Sequence, residues 1–235
     1  MLFHLKLILK LLSLVFSIFM ISNCKQSRAV SSSSTQVFSY LALGDSYTIG
    51  ESVNVRDRWP IQLVERLKVQ KLNFDFPKII AKTGWTTDEL MSAIKKENVN
   101  EKFDMVSLLI GVNNQYRGRD SKVFKSEFID LLDVAIGFSK KGKSGVFVVS
   151  IPDWGVTPFA KSRDKALISK QIDQFNAIKK EVCLAKGIIF IDITDISRVN
   201  NEKLIASDGL HPSALMYQQW VDRILPNIPK LYAKR

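Results

Sequence analysis

The chain has 235 residues, of which 46% are hydrophobic, 24% charged and 10% aromatic, with 11 glycines and 7 prolines. That balance excludes collagen-like, coiled-coil and wholly disordered chains, and the length suffices to bury a sizeable core. There are 34 basic and 23 acidic side chains, a formal charge of +11. The lysines nevertheless fall in scattered pairs (Lys95-Lys96, Lys140-Lys141, Lys179-Lys180) without an aromatic-interleaved cluster. They read as solvated surface, and nucleic acid is not an expected partner.

The first 23 residues contain two lysines, Lys6 and Lys10, and no acid; Leu11 to Ser22 is then almost wholly apolar. A basic start and a short apolar run predict a secretory signal peptide over residues 1–23, too short to span a bilayer comfortably. The run closes on Ile21-Ser22-Asn23-Cys24, which resembles a bacterial lipobox, although Asn23 is looser than the small residue usual there. Cys24 is therefore the expected lipidation site, an ordinary signal peptide carrying a cysteine being the alternative. Residues 25–36, KQSRAVSSSSTQ, form a polar tether spanning roughly 20 Å. On this reading the protein is exported to the cell envelope and held at a membrane by lipid, facing the periplasm or the surface. Cys183 would then have no disulfide partner in the chain, and its amphipathic helical setting makes it a small buried hydrophobe.

Apolar, β-branched runs recur at Val37–Leu43, Lys78–Ala81, Met105–Ile110, Val146–Ile151 and Ile188–Ile193. Stretches with helical spacing lie between and after them, at about 58–71, 86–98, 121–139, 164–185 and 213–232. The alternation predicts one α/β domain over residues 37–235, with a five-stranded parallel sheet covered by helices on both faces. In such sheets ligands bind outside the carboxyl ends of the strands. Gly44-Asp45-Ser46, Thr83-Gly84-Trp85, Gly111-Val112-Asn113-Asn114 and Pro152-Asp153-Trp154-Gly155 each follow one of the first four runs, and so gather at that edge.

Gly137 to Ser144 (GFSKKGKS) satisfies the Walker A pattern letter for letter. That loop holds phosphate only when it leaves a strand and opens a helix, whereas here a helix precedes and a strand follows. No nucleotide is expected, and Gly142 reads as a helix C-cap followed by a basic turn.

Beyond the leader, which contains His4, the one histidine is His211, in Ser207-Asp208-Gly209-Leu210-His211-Pro212-Ser213. Asp208 can accept from its Nδ1–H and leave Nε2 free as a base. The same segment reads equally well as a helix start, with Asp208 or Ser213 as cap. Ser46, in the tight turn after the first strand, is the candidate nucleophile. The G-x-S-x-G elbow of α/β-hydrolases is absent, because Thr48 stands where its second glycine would be. Oxyanion donors would be the N–H groups of Ser46 and Gly84 and the side-chain amide of Asn113, each at the end of a different strand.

Ser46 in Gly44-Asp45-Ser46-Tyr47, Gly84, Asn113 in Gly111-Val112-Asn113-Asn114, and Asp208-Gly209-Leu210-His211 together resemble the four blocks of the SGNH (GDSL) hydrolases, over about residues 38–222. The resemblance implies a flavodoxin-like three-layer α/β/α sandwich and ester hydrolysis without metal or other cofactor. It makes Ser46 the nucleophile, His211 the general base and Asp208 its orienter, with Ser46, Gly84 and Asn113 forming the oxyanion hole. Two positions depart from the pattern. Asn114 replaces the common Asp after the third-block Asn, and Tyr47 replaces the Leu of the family's name. Asp45 is expected to hold its turn rather than to act in catalysis.

The expected reaction is hydrolysis of carboxylic esters through an acyl-enzyme. Small acyl or acetyl esters are favoured by the lack of a long apolar lid, with lysophospholipids or thioesters as further candidates. Trp85 and Trp154 are placed to line the cleft, and Trp59 and Trp220 to lie in the core. A non-catalytic ligand- or glycan-binding surface lipoprotein on the same fold is the alternative, whose signature would be loss of Ser46, Asp208 or His211.

Overall fold

The computed structural model describes residues 36–228. The signal peptide, Cys24 and all of the tether except Gln36 lie outside the described residues.

The sheet contains β2 (Tyr40–Gly44), β4 (Lys78–Ala81), β5 (Met105–Leu109), β6 (Val146–Val149) and β7 (Ile189–Ile191), all parallel, in the order β4-β2-β5-β6-β7. Every residue of β2, β5 and β6 is buried, as expected of strands covered on both faces. Helices α2 (Trp59–Val69) and α8 (Ala214–Ile224) pack together, while α5 (Ser121–Phe138) packs against both α3 (Thr87–Glu97) and α6 (Lys165–Lys186). The result is the three-layer α/β/α arrangement, and Trp59 and Trp220 are fully buried in its core. Three single turns, α1 (Ser46–Ile49), α4 (Val112–Tyr116) and α7 (Thr194–Ser197), follow strand ends and are too short for periodicity to reveal.

Three expectations are corrected. The first run is not one strand: β1 (Val37–Phe38) pairs with β3 (Asn73–Phe74) in a separate two-stranded sheet. Ser39 breaks it, because its N–H and hydroxyl both turn to Asp104 Oδ2, at 2.8 and 2.9 Å, beside the Lys140 ammonium. The cap of α5 is Ser139 rather than Gly142. Phe103 N–H donates to Phe138 O and Lys140 N–H to Phe103 O, so a parallel bridge to Phe103 draws the chain out of the helix early. Gly142 lies beyond, at φ +56, in a short 3₁₀ turn that leads into β6. The Walker-like residues thus end a helix and enter a strand. Lys179, finally, is not surface: it is fully buried, on the stripe of α6 formed by Ile168, Ile172, Phe175, Asn176, Val182 and Cys183.

β2 and β5 leave no room for a side chain where β2 ends. A Cβ on Gly44 would lie 2.4 Å from the Leu109 carbonyl oxygen and 2.2 Å from Thr48 Oγ1. Backbone on that side cannot yield without parting the two central strands. Gly44→Ala is therefore expected to destabilise the fold by about 2–3 kcal/mol, as overpacking does, read as a lower urea midpoint at unchanged m-value.

Candidate active site

The turn after β2 is built by Asp45. Its Oδ1 accepts the Tyr47 N–H at 3.0 Å and caps α1, and Gly50 at φ +69 ends that turn four residues later. Ser46 is thereby held at the sheet's carboxyl edge, nearly buried, on the wall of a cleft of about 180 Å³. Asp45 itself is wholly buried and away from the cleft. Burial pushes its carboxyl up to about 7, against the Tyr47 N–H and the positive charge of Lys179.

His211 reaches the same cleft from the loop before α8. Gly209 takes φ +73 there, and Ala206 N–H donates to the His211 carbonyl at 2.8 Å, closing the loop on itself. Asp208 Oδ2 lies 2.6 Å from His211 Nδ1, while its Oδ1 accepts the N–H groups of Leu210 and His211 at 2.9 and 3.0 Å. Burial alone would raise the Asp208 carboxyl. The Ser52 hydroxyl, the imidazole and the two loop N–H groups outweigh it and hold the acid well below the usual carboxylate range. The imidazole is steadied on another side by Tyr47, whose ring centre is 5.6 Å away in an edge-on contact. Of the two readings of this segment, Ser213 takes the cap of α8 by accepting from Met216 N–H, which leaves Asp208 to the histidine.

Gly84, at φ +88, and Asn113 also line the cleft. Asn113 Nδ2 donates one hydrogen to the Trp85 carbonyl at 3.0 Å, which fixes the amide plane and leaves its second hydrogen for the cleft. Arg117 donates to the Gly84 carbonyl at 2.6 Å and pairs with Glu89, bracing the turn that carries Gly84. Among the described residues, the N–H groups of Ser46 and Gly84 make no hydrogen bond. Ser46 and His211 share the cleft without a hydrogen bond between their side chains.

Part of the lining is aromatic. Tyr116 and Trp154 meet edge-on at 5.3 Å, and Phe159 lies 6.0 Å from Trp154 and 6.4 Å from Tyr116. Trp154 is locked by donation from Nε1 to Gln115 Oε1 at 2.8 Å, and Phe159 N–H donates to the Gly209 carbonyl of the histidine loop. Trp85 does not line the cleft. It packs half-buried against the core and offers only its carbonyl to the site.

The structure thus brings Ser46, Gly84, Asn113 and His211 to one cleft, with Asp208 behind the imidazole. Sequence reasoning missed Ser52, whose hydroxyl donates to Asp208 Oδ2 at 2.6 Å from a left-handed backbone, φ +64. A serine in a turn carries no signal for a partner 156 residues away. Tyr116 and Phe159 were missed also; both are exposed apolar side chains beside a polar site. Asn114 proves well seated. Fully buried, it accepts from Thr87 N–H at 3.1 Å and donates to Thr87 Oγ1 at 2.6 Å, tying α4 to the start of α3. Among the described residues no three His, Cys, Asp or Glu side chains converge as metal ligands would.

Residues 42–219 match the GDSL-like lipase/acylhydrolase family. No curated protein matches the sequence significantly. Among solved structures, the chain is similar to TesA, with a TM-score of 0.64 and 16% identity over 83% of this chain and 99% of that one. It is similar also to the psychrotrophic esterase EstA from Pseudoalteromonas sp., solved with monoethylphosphonate as inhibitor (0.63; 14%; 83% and 98%). A third is Axe2, an acetylxylan esterase from Geobacillus stearothermophilus (0.62; 16%; 84% and 95%). At such identities the likeness to these structures is one of fold.

Two substitutions separate the roles of the groups behind the imidazole. Asp208→Asn, which keeps shape but favours the wrong tautomer, is expected to lower kcat for ester hydrolysis by roughly 10³–10⁴. Ser52→Ala removes one of four donors to the same carboxylate, and its expected loss is roughly tenfold or less. Steady-state kinetics on one activated ester would rank the two.

Proposed function

The chain belongs to the GDSL-like lipase/acylhydrolase family and is a carboxylic ester hydrolase; we propose that it works through an acyl-enzyme on Ser46 and prefers esters with small acyl groups. The observation that carries this reading is the 2.6 Å contact of Asp208 with His211 Nδ1, on a cleft that Ser46, Gly84 and Asn113 also line. With Nδ1–H held by the carboxylate, Nε2 is the free base. It takes the Ser46 proton as Oγ attacks the ester carbonyl. Charge passes to the carbonyl oxygen, which accepts from the Ser46 and Gly84 N–H groups and from Asn113 Nδ2. Collapse breaks the bond to the alcohol, and the alcohol leaves with the proton from His211. Water then attacks acyl-Ser46, giving its proton to the same Nε2, and Ser46 leaves with it.

Size supports the acyl preference. A cleft of about 180 Å³ falls below the roughly 300–1,000 Å³ of sites that enclose drug-sized ligands. The aromatic wall of Tyr116, Trp154 and Phe159 suits the methyl or short alkyl of a small acyl group, or the apolar face of its alcohol.

Ser46→Ala is expected to abolish turnover of p-nitrophenyl esters by residues 25–235, and Asn113→Ala to cost roughly 10²–10³ in kcat. Across chain lengths from C2 to C16, kcat/KM is expected to peak at C2–C4. A peak at C10 or beyond would overturn the small-acyl preference, and full activity of Ser46→Ala would overturn the mechanism.

The location is proposed from the leader alone: export, and anchoring to a cell-envelope membrane by lipid on Cys24. Radiolabelled palmitate fed to a bacterial host making the full-length chain is expected to label it, and Cys24→Ala to remove the label.

A further inference from the structure

Lys179 is the one lysine among the described residues with its side chain wholly inside the core. Its neighbours along the buried stripe of α6 are largely apolar, and the ammonium lies 5.7 Å from the centre of the Phe128 ring. Packing in such a place calls for a Leu or Met. A buried ammonium costs far more unless its hydrogens are met. Burial pushes the Lys179 amine down to about 7, against the pull of Cys183, Asp45 and Asp192.

Two of its hydrogens are met by main-chain carbonyls, Ile110 O at 3.1 Å and Val149 O at 2.8 Å. Their positions are informative. Pairing of β5 with β6 ends at Leu108 and Val148, so both carbonyls lie where the two strands part. Gly111 follows Ile110, turns at φ +122, and starts the helical turn that bears Asn113. Val149 ends β6, whose continuation leads to Trp154, which also lines the cleft. The ammonium therefore joins the roots of two adjoining loops that both line the cleft, one through Asn113 and Tyr116, the other through Trp154.

We infer that Lys179 is a positioning residue for ester hydrolysis, clamping the carbonyls of Ile110 and Val149 so that the Gly111–Asn113 turn holds the Asn113 amide where the oxyanion forms. The inference rests on the role given to Asn113 above. It assigns no contact between Lys179 and substrate. Loss of the clamp displaces a donor without removing it, and displacement of a catalytic group by about 1 Å can cost up to 10²-fold in rate.

The test is a double-mutant cycle of Lys179→Met and Asn113→Ala, with Ser46→Ala as the control in the same assay. Lys179→Met is expected to fold, to keep KM within about twofold, and to lose roughly 10- to 100-fold in kcat. In the Asn113→Ala background the same substitution is expected to lose most of that effect, since residues acting through one another are not additive. A merely structural lysine would give equal fold-losses in both backgrounds and would overturn the inference, as would unchanged kcat. A second readout does not depend on turnover. The Asn113 side-chain NH₂ signals, assigned by their absence in Asn113→Ala, are expected to shift or broaden in Lys179→Met while those of exposed Gln70 stay in place. Unmoved Asn113 signals would refute the clamp. Absence of Ser46-dependent turnover in the parent protein would instead refute the proposed function and leave this readout to decide on Lys179. Should Lys179→Met not fold, Lys179→Gln, which keeps a shorter donor, takes its place in both measurements.

Discussion

Both faces of the central strands are covered by helices, so β2, β5 and β6 have no exposed face on which a reactive group can sit. Polar chemistry is confined to their carboxyl ends. There the strands part, and their last carbonyls and N–H groups lose their ladder partners while still buried. α6 supplies the substitutes from one face. Asn176 takes both the N–H and the carbonyl of Ile151, at 2.7 and 2.9 Å, and Lys179, one turn on, takes the carbonyls of Ile110 and Val149. The ends of β5 and β6 are satisfied in this way, and from them the Asn113 turn and the Trp154 loop emerge into the cleft.

The same logic explains what the sequence disclosed. Strands buried on both faces read as unbroken apolar runs, and the residues just after each run are by necessity those at the functional edge. Ser46, Gly84, Asn113 and Trp154 were legible for that reason, and Asp208 with His211 because both lie in one short loop. Ser52 was not legible, since its bond to Asp208 depends on a turn folding back across most of the chain. Trp85 was misplaced because adjacency to Gly84 says nothing of which way a side chain leaves a turn at positive φ. Lys179 differs from its surface expectation for another reason: its place on the helical stripe with Phe175, Val182 and Cys183 outweighs its charge. The α5 terminus was misjudged because Gly142 is a stronger local signal than Ser139, yet pairing with Phe103 is a tertiary force and prevails.

Two buried titratable side chains, Asp45 and Lys179, both serve backbone. Asp45 accepts the Tyr47 N–H and so shapes the turn that carries Ser46; Lys179 holds the ends of β5 and β6. Burial drives the two groups in opposite directions, the acid up and the amine down, each to about 7, and each is partly restored by the other's charge. By contrast, the surface pairs such as Arg66–Asp222 and Arg223–Asp195 are half-exposed, and pairs of that kind contribute little to stability in salt.

The departure at Asn114 follows from the hydrogen bonds of its partner. Thr87 has one hydroxyl hydrogen, and it goes to Glu127 of α5. That direction requires the group on the other side of Oγ1 to donate, which the Asn114 amide does while its own oxygen accepts the Thr87 N–H. A carboxylate at 114 would accept only. It would then compete with Glu127 for a single hydrogen and set two negative groups about one buried hydroxyl. The neutral amide and the acid on α5 are thus matched to each other. Together they join α3, α4 and α5 at the turn that carries Asn113, so the charge absent from position 114 is placed one helix away without loosening the loop.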